Sequence, residues 1–142
     1  MFVLHVALQG CLRGNNVEYG LTADTGGHIR YLMDLVGACE ASDTASKIVI
    51  ATRAFEGHGE DYQRPSEAVS PQISIVRLRT NRPDYVSKED MHAEVASFSE
   101  ALIAHLREHG LPDIVHAHYA DAAVVAARIK TELGIPFVFT GH

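Results

Sequence analysis

Several polar clusters in this chain have the residue types and spacing to do chemistry. Asp24-Thr25-Gly26-Gly27-His28 stands just before an apolar, helix-periodic stretch. Paired glycines there let a ligand approach the backbone, and the free amides of a helix start favour an anion such as phosphate. The same residues also serve as a plain helix cap, with Asp24 or Thr25 as the capping side chain. His116-Ala117-His118-Tyr119-Ala120-Asp121 offers two imidazoles and a carboxylate. On a strand, positions 116 and 118 share a face, but the H-x-H-x-D-H pattern of metallohydrolases is not completed. Zinc asks for three or four converging ligands, so no metal site is expected. His116 reads as a core or supporting histidine, and His118, nearer the strand end, as the one that reaches a cleft.

Arg13 and Arg53 lie in two long polar segments, where a guanidinium can grip a phosphate through two hydrogen bonds. Arg79, Arg82 and Lys88 lie on a polar connection, a place where most charges are simply solvated. Gly141-His142 follows the last apolar run.

These groups need elements to position them. Residues 2–8 form a short apolar run that reads as a buried strand, followed by a long glycine- and asparagine-bearing loop over 9–25. A loop of that length in a compact domain is itself a sign of function. Ile29, Leu32, Met33 and Val36 have helical spacing, which predicts a helix over 26–41. Strands are expected at 47–51, 73–78, 113–118 and 136–140, and a polar loop at 52–71. A long amphipathic helix is expected over 88–108, with Val95, Phe98, Leu102 and Leu106 inward and Gly110-Leu111-Pro112 as its stop. An alanine-rich helix is expected over 121–133.

Strands that are apolar on both faces and alternate with helices imply a parallel sheet covered on both sides, a Rossmann-like doubly wound α/β fold. In such sheets ligands bind beyond the carboxyl ends of the strands, where the strand order reverses. That edge gathers the loop after the first strand, the region of Arg53, the 118–121 turn and Gly141-His142. The segment from Gly10 to Gly14 does not match G-x-G-x-x-G, and the helix begins far downstream, so a nicotinamide dehydrogenase is disfavoured.

Composition sets the outer limits. The chain has 142 residues, a net charge of −6 and 46% hydrophobic residues. One soluble domain is expected. The acidic balance argues against a nucleic-acid binder. No apolar run approaches the ~20 residues that span a bilayer, and the start lacks a basic segment and a cleavage site. A cytoplasmic protein is the default expectation, with Cys11 and Cys39 as reduced thiols.

The motifs, taken together and in order, resemble a known family. Leu8-Gln9-Gly10-Cys11-Leu12-Arg13-Gly14 followed by Asp24-Thr25-Gly26-Gly27-His28-Ile29-Arg30-Tyr31 resembles the LHGLIRG…DTGGQxKY opening of sucrose-phosphate synthases and sucrose synthases. The segment from Pro112 to Ala122 is similar to their PDVIHxHYADAG, and that from Phe137 to His142 to the start of VFTGHSLG. Tyr85 with Lys88-Glu89 is similar to a KYxxKE stretch. The chain departs from the family at Gln9, where a histidine stands, and at His28, where a glutamine stands.

The resemblance implies the amino-terminal, acceptor-side half of a two-domain GT-B glycosyltransferase of the retaining type, spanning residues 1–142 and lacking the carboxy-terminal donor-binding domain. It implies transfer of a hexose from a nucleotide sugar, UDP-glucose, to fructose 6-phosphate, giving sucrose 6-phosphate, with no metal or further cofactor. By motif, His142 is the catalytic residue that stabilises the reacting centre. Gly26, Gly27, His28, Arg82, Lys88 and His118 take the acceptor, while Gly27 and Arg13 take the donor diphosphate. The implied partners are these two small molecules and the missing half, with neither nucleic acid nor membrane. The chain alone is then expected to be inactive. Two other readings stay open at this point: a non-catalytic Rossmann-like ligand- or partner-binding domain, and a metal-dependent hydrolase using His116, His118 and Asp121.

Overall fold

A computed structural model describes residues 1–10, 12–14 and 26–141; the side chain of His28 lies outside that description. Six strands and three helices are present among them: β1 (Phe2–Val6), α1 (Gly27–Ala41), β2 (Lys47–Arg53), β3 (Ser66–Ala68), β4 (Ile73–Leu78), α2 (Val95–His109), β5 (Ile114–His118), α3 (Ala120–Leu133) and β6 (Phe137–Thr140). They build one sheet in the order β3-β4-β2-β1-β5-β6. All pairings are parallel except that of β3 with β4.

The alternation along β1 shows why the sheet needs helices on both sides. Leu4 and Val6 point into the core built with α2 and α3, which includes Phe98, Leu102, Val125 and Ile129. Ala7 faces the other way, into the core where Ile29, Leu32 and Val36 of α1 meet Ile48, Ile50 and Ile75. Each such fully buried aliphatic side chain contributes about 1.5–3 kcal/mol of transfer free energy. His5 also lies on the α1 side of β1, opposite to Leu4 and Val6.

Two elements differ from the sequence expectation. Strand β3 lies within the segment expected to be a loop, and it pairs antiparallel with β4, Ser66 opposite Val76. With only three residues and no apolar alternation it carries no readable period. The long helix expected from residue 88 begins at Val95, after a short 3-10 turn over Met91–Glu94. Glu94 explains the delay. Its side chain is buried and bound to the preceding connection, which holds residues 80–94 in a path a continuous helix could not follow.

Candidate active site at the switch point

Strand order reverses at β1, which has β2 on one side and β5 on the other, so the ligand crevice lies beyond the ends of β1 and β5. Helix α1 opens beside it. Gly26 is its cap, and the Gly26 carbonyl accepts from Ile29 N–H at 3.1 Å and Arg30 N–H at 3.3 Å. No acidic residue sits in the first turn to compete for an anion.

The turn from β5 into α3 is strained. Tyr119 has φ 76° and ψ 163°, a region essentially reserved for glycine. It is locked there by its neighbours, since its N–H donates to the Thr140 carbonyl at 3.0 Å and its carbonyl accepts from Ala123 N–H at 3.1 Å. A non-glycine residue held in this conformation costs on the order of 1–3 kcal/mol and is characteristic of functional sites.

Behind this turn three histidines meet. His5 and His116 are register partners on β1 and β5, and His118 follows two residues on along the same face. His5 Nδ1 and His118 Nε2 are 3.0 Å apart. The His116 and His118 rings stack at 4.3 Å, and His116 Nε2 lies 2.7 Å from Thr140 Oγ1. Burial first, and the neighbouring His116 second, push the His5 imidazole down to about 3, so it stays neutral. Tyr31 of α1 meets His118 edge-on at 6.5 Å.

On the other side of β1, Arg53 ends β2 with its guanidinium turned inward. Nε donates to Thr80 Oγ1 at 2.8 Å, Nη2 to the Arg82 carbonyl at 2.5 Å, and Nη1 to the Asp84 carbonyl at 3.2 Å. Glu94 accepts from Thr80 Oγ1 at 2.7 Å and from Arg82 N–H at 2.9 Å. This fork is occupied by the protein itself, so Arg53 does not serve as the phosphate grip its position suggested. It fixes the connection that carries Arg82 and Lys88.

The loop after β1 is anchored in a similar way. Arg77 of β4, fully buried, donates to Glu67 at 2.6 Å and to the Leu12 carbonyl at 3.0 Å. Glu67 in turn accepts from Gly14 N–H at 2.9 Å. Arg13 between them reaches Asp61 at 3.2 Å and lies over the Tyr62 ring.

This arrangement of strands, strained turn and anchored loops can be compared with known proteins. The model of the glycosyl transferase 4-like domain matches residues 26–142. The chain belongs to that family. It is 30% identical to the sucrose-phosphate synthase of Spinacia oleracea and 27% identical to a probable sucrose-phosphate synthase of Oryza sativa, each over all of this chain and 16% of the relative. It therefore spans about one sixth of the length of these curated relatives. Among solved structures, the sucrose-phosphate synthase of Thermosynechococcus elongatus superposes with a TM-score of 0.77 at 16% identity, covering 99% of this chain and 33% of that one. The fold is thus that of the GT-B sucrose-phosphate synthases, as the sequence motifs implied.

Within this glycosyl transferase 4-like domain the expected site residues are distributed as follows. Gly26 and the backbone of Gly27 sit at the start of α1. His118 is 2% exposed and His116 is half-buried, the reverse of the expected order. Arg82 is exposed and paired with Asp84 at 2.6 Å, and Lys88 is exposed nearby. Asp121 does not join the histidines; it faces His92 at 3.7 Å. His142 and the His28 side chain, together with the proposed caps Asp24 and Thr25, lie outside the described residues. His5 was not anticipated. Its signal was available only through topology, because a strand neighbour at the switch point brings residue 5 beside residue 116. A cavity of about 230 Å³, lined by Phe2, Lys47, Leu102, His105 and His109, lies at the amino-terminal ends of the strands and has no part in this site.

Proposed function

We propose that this chain is the acceptor-side domain of a retaining glycosyltransferase that moves a hexose from UDP-glucose to fructose 6-phosphate, forming sucrose 6-phosphate. The observation that carries the reading is the strained Tyr119 turn beside the glycine-opened start of α1, both at the switch point of a domain in this family. Such a transfer asks little covalent chemistry of the protein. It asks that an acceptor hydroxyl be held close to the anomeric carbon and that charge on the departing diphosphate be stabilised.

The backbone amides at Gly26 and Gly27, with His28 and His118, face the acceptor in this reading. Arg82 and Lys88 lie on a connection made rigid by Arg53 and Glu94, suited to a sugar phosphate. Gly27 and Arg13 take the diphosphate, and His142 hydrogen-bonds the donor sugar at the reacting centre. The principal clamps on the departing charge belong to a donor-binding half, so the 142 residues alone bind weakly and do not turn over. The reading requires no cofactor beyond the nucleotide sugar, and a cytoplasmic setting suits both substrates.

The test fuses this chain to the donor-binding half of a sucrose-phosphate synthase and measures UDP release from UDP-glucose with and without fructose 6-phosphate. Acceptor-dependent release that falls at least tenfold in the Arg82→Ala and Lys88→Ala double variant is expected. A folded fusion that binds UDP-glucose but releases no UDP with any sugar phosphate would sink the reading and favour a non-catalytic binding domain.

A further inference from the structure

We propose that His5, His116 and His118 form a transition-metal site at the carboxyl ends of β1 and β5, one that takes zinc or a similar borderline divalent ion. The three histidines can each offer a nitrogen, and these nitrogens all lie within 4.8 Å of one another. Two of them, His5 Nδ1 and His118 Nε2, are 3.0 Å apart. A tetrahedral zinc with bonds of about 2.0–2.1 Å holds neighbouring ligand nitrogens about 3.3 Å apart, so the pair needs only a few tenths of an ångström. The ligand type is right for zinc, cobalt, nickel or copper and wrong for magnesium or calcium, which take oxygen.

The proton balance also permits it. In the metal-free pair one ring nitrogen donates to the other. Moving that proton to the far nitrogen of the same ring leaves both facing lone pairs for the ion, with each imidazole still neutral. Thr140 Oγ1, 2.7 Å from His116 Nε2, fixes the orientation and tautomer of the third ring, the usual task of an outer-shell partner. His116 is the half-buried member, so the fourth position opens on its side. The ion would tie β1 to β5 at the point where they form the crevice, a structural or inhibitory role that transfer itself does not require. Asp121, the carboxylate of the metal-dependent hydrolase reading, does not join this set, and His5 stands as its third member.

The chain has nine histidines, and among the described residues one other pair could compete: His105 and His109 on α2, whose rings stack at 4.3 Å. The experiment therefore uses untagged, chelator-stripped protein titrated with zinc by calorimetry and with cobalt by visible absorption, with melting temperature followed alongside. One equivalent, a raised melting point and a tetrahedral cobalt spectrum are expected. His118→Gln and His116→Gln should each weaken binding at least tenfold, while His109→Gln should leave it unchanged. Should His118→Gln fail to fold, the half-buried His116 still decides. The proposal is overturned by a folded wild type without saturable binding, by binding that survives His116→Gln, or by binding lost in His109→Gln.

Discussion

Arg53 and Glu94 lie side by side inside the protein, 3.7 Å apart, with their side chains 1% and 3% exposed. Between them they hold Thr80 Oγ1, the Arg82 N–H and the carbonyls of Arg82 and Asp84. Removing one member therefore leaves a buried charge alone and several backbone groups without partners. Arg53→Met is expected to cost about 3–5 kcal/mol. The Arg53→Met, Glu94→Leu double variant should cost less than the sum of the single changes, because it removes both charges. Urea denaturation of the four proteins measures the coupling, and strict additivity would refute it.

The same pair sets a pH dependence. Burial alone would raise the Glu94 carboxyl, but hydrogen bonds from Thr80 and the Arg82 N–H, with the Arg53 and Arg82 cations, outweigh it and hold it below the usual range. A carboxylate depressed in the fold stabilises above its unfolded value and loses that contribution as pH falls through its folded one. The stability gap between the wild type and Glu94→Gln should thus stay flat above about pH 5 and narrow only in acid, below the ordinary glutamate value of about 4.3. Denaturation midpoints across pH test this; a gap that widens in acid contradicts it.

Tyr119 yields an inverted ranking. At φ 76° and ψ 163° glycine is at ease and alanine is not. Tyr119→Gly should therefore be more stable than Tyr119→Ala by about 1–3 kcal/mol, against the usual order of the two residues. Thermal denaturation of the two variants reads this directly.

The fold was largely legible in the sequence because its core alternates cleanly. Leu4 and Val6 against Phe98 and Leu102, and Ile29 against Ile48 and Ile50, follow directly from strand and helix periods. Strand β3 was not legible, since Ser66–Ala68 is polar and owes its place to the ion pair of Glu67 with Arg77. The start of α2 was displaced for a similar reason: Glu94 answers to Arg53, forty-one residues earlier in the chain, and no local pattern reports such a partner. The crevice could be located from the strand order, but not the inward turn of Arg53 or the arrival of His5. Both depend on which strands become neighbours, which periodicity does not encode.

The two borders of the sheet are unequal. On one, β3 runs against its neighbour, three residues long and carrying a carboxylate, which is a poor template for another strand. On the other, β6 runs parallel, with Val138 and Phe139 about half exposed beside a row of outward backbone groups. An unguarded border of this kind invites a further strand, and a charged residue in place of Val138 would turn one away.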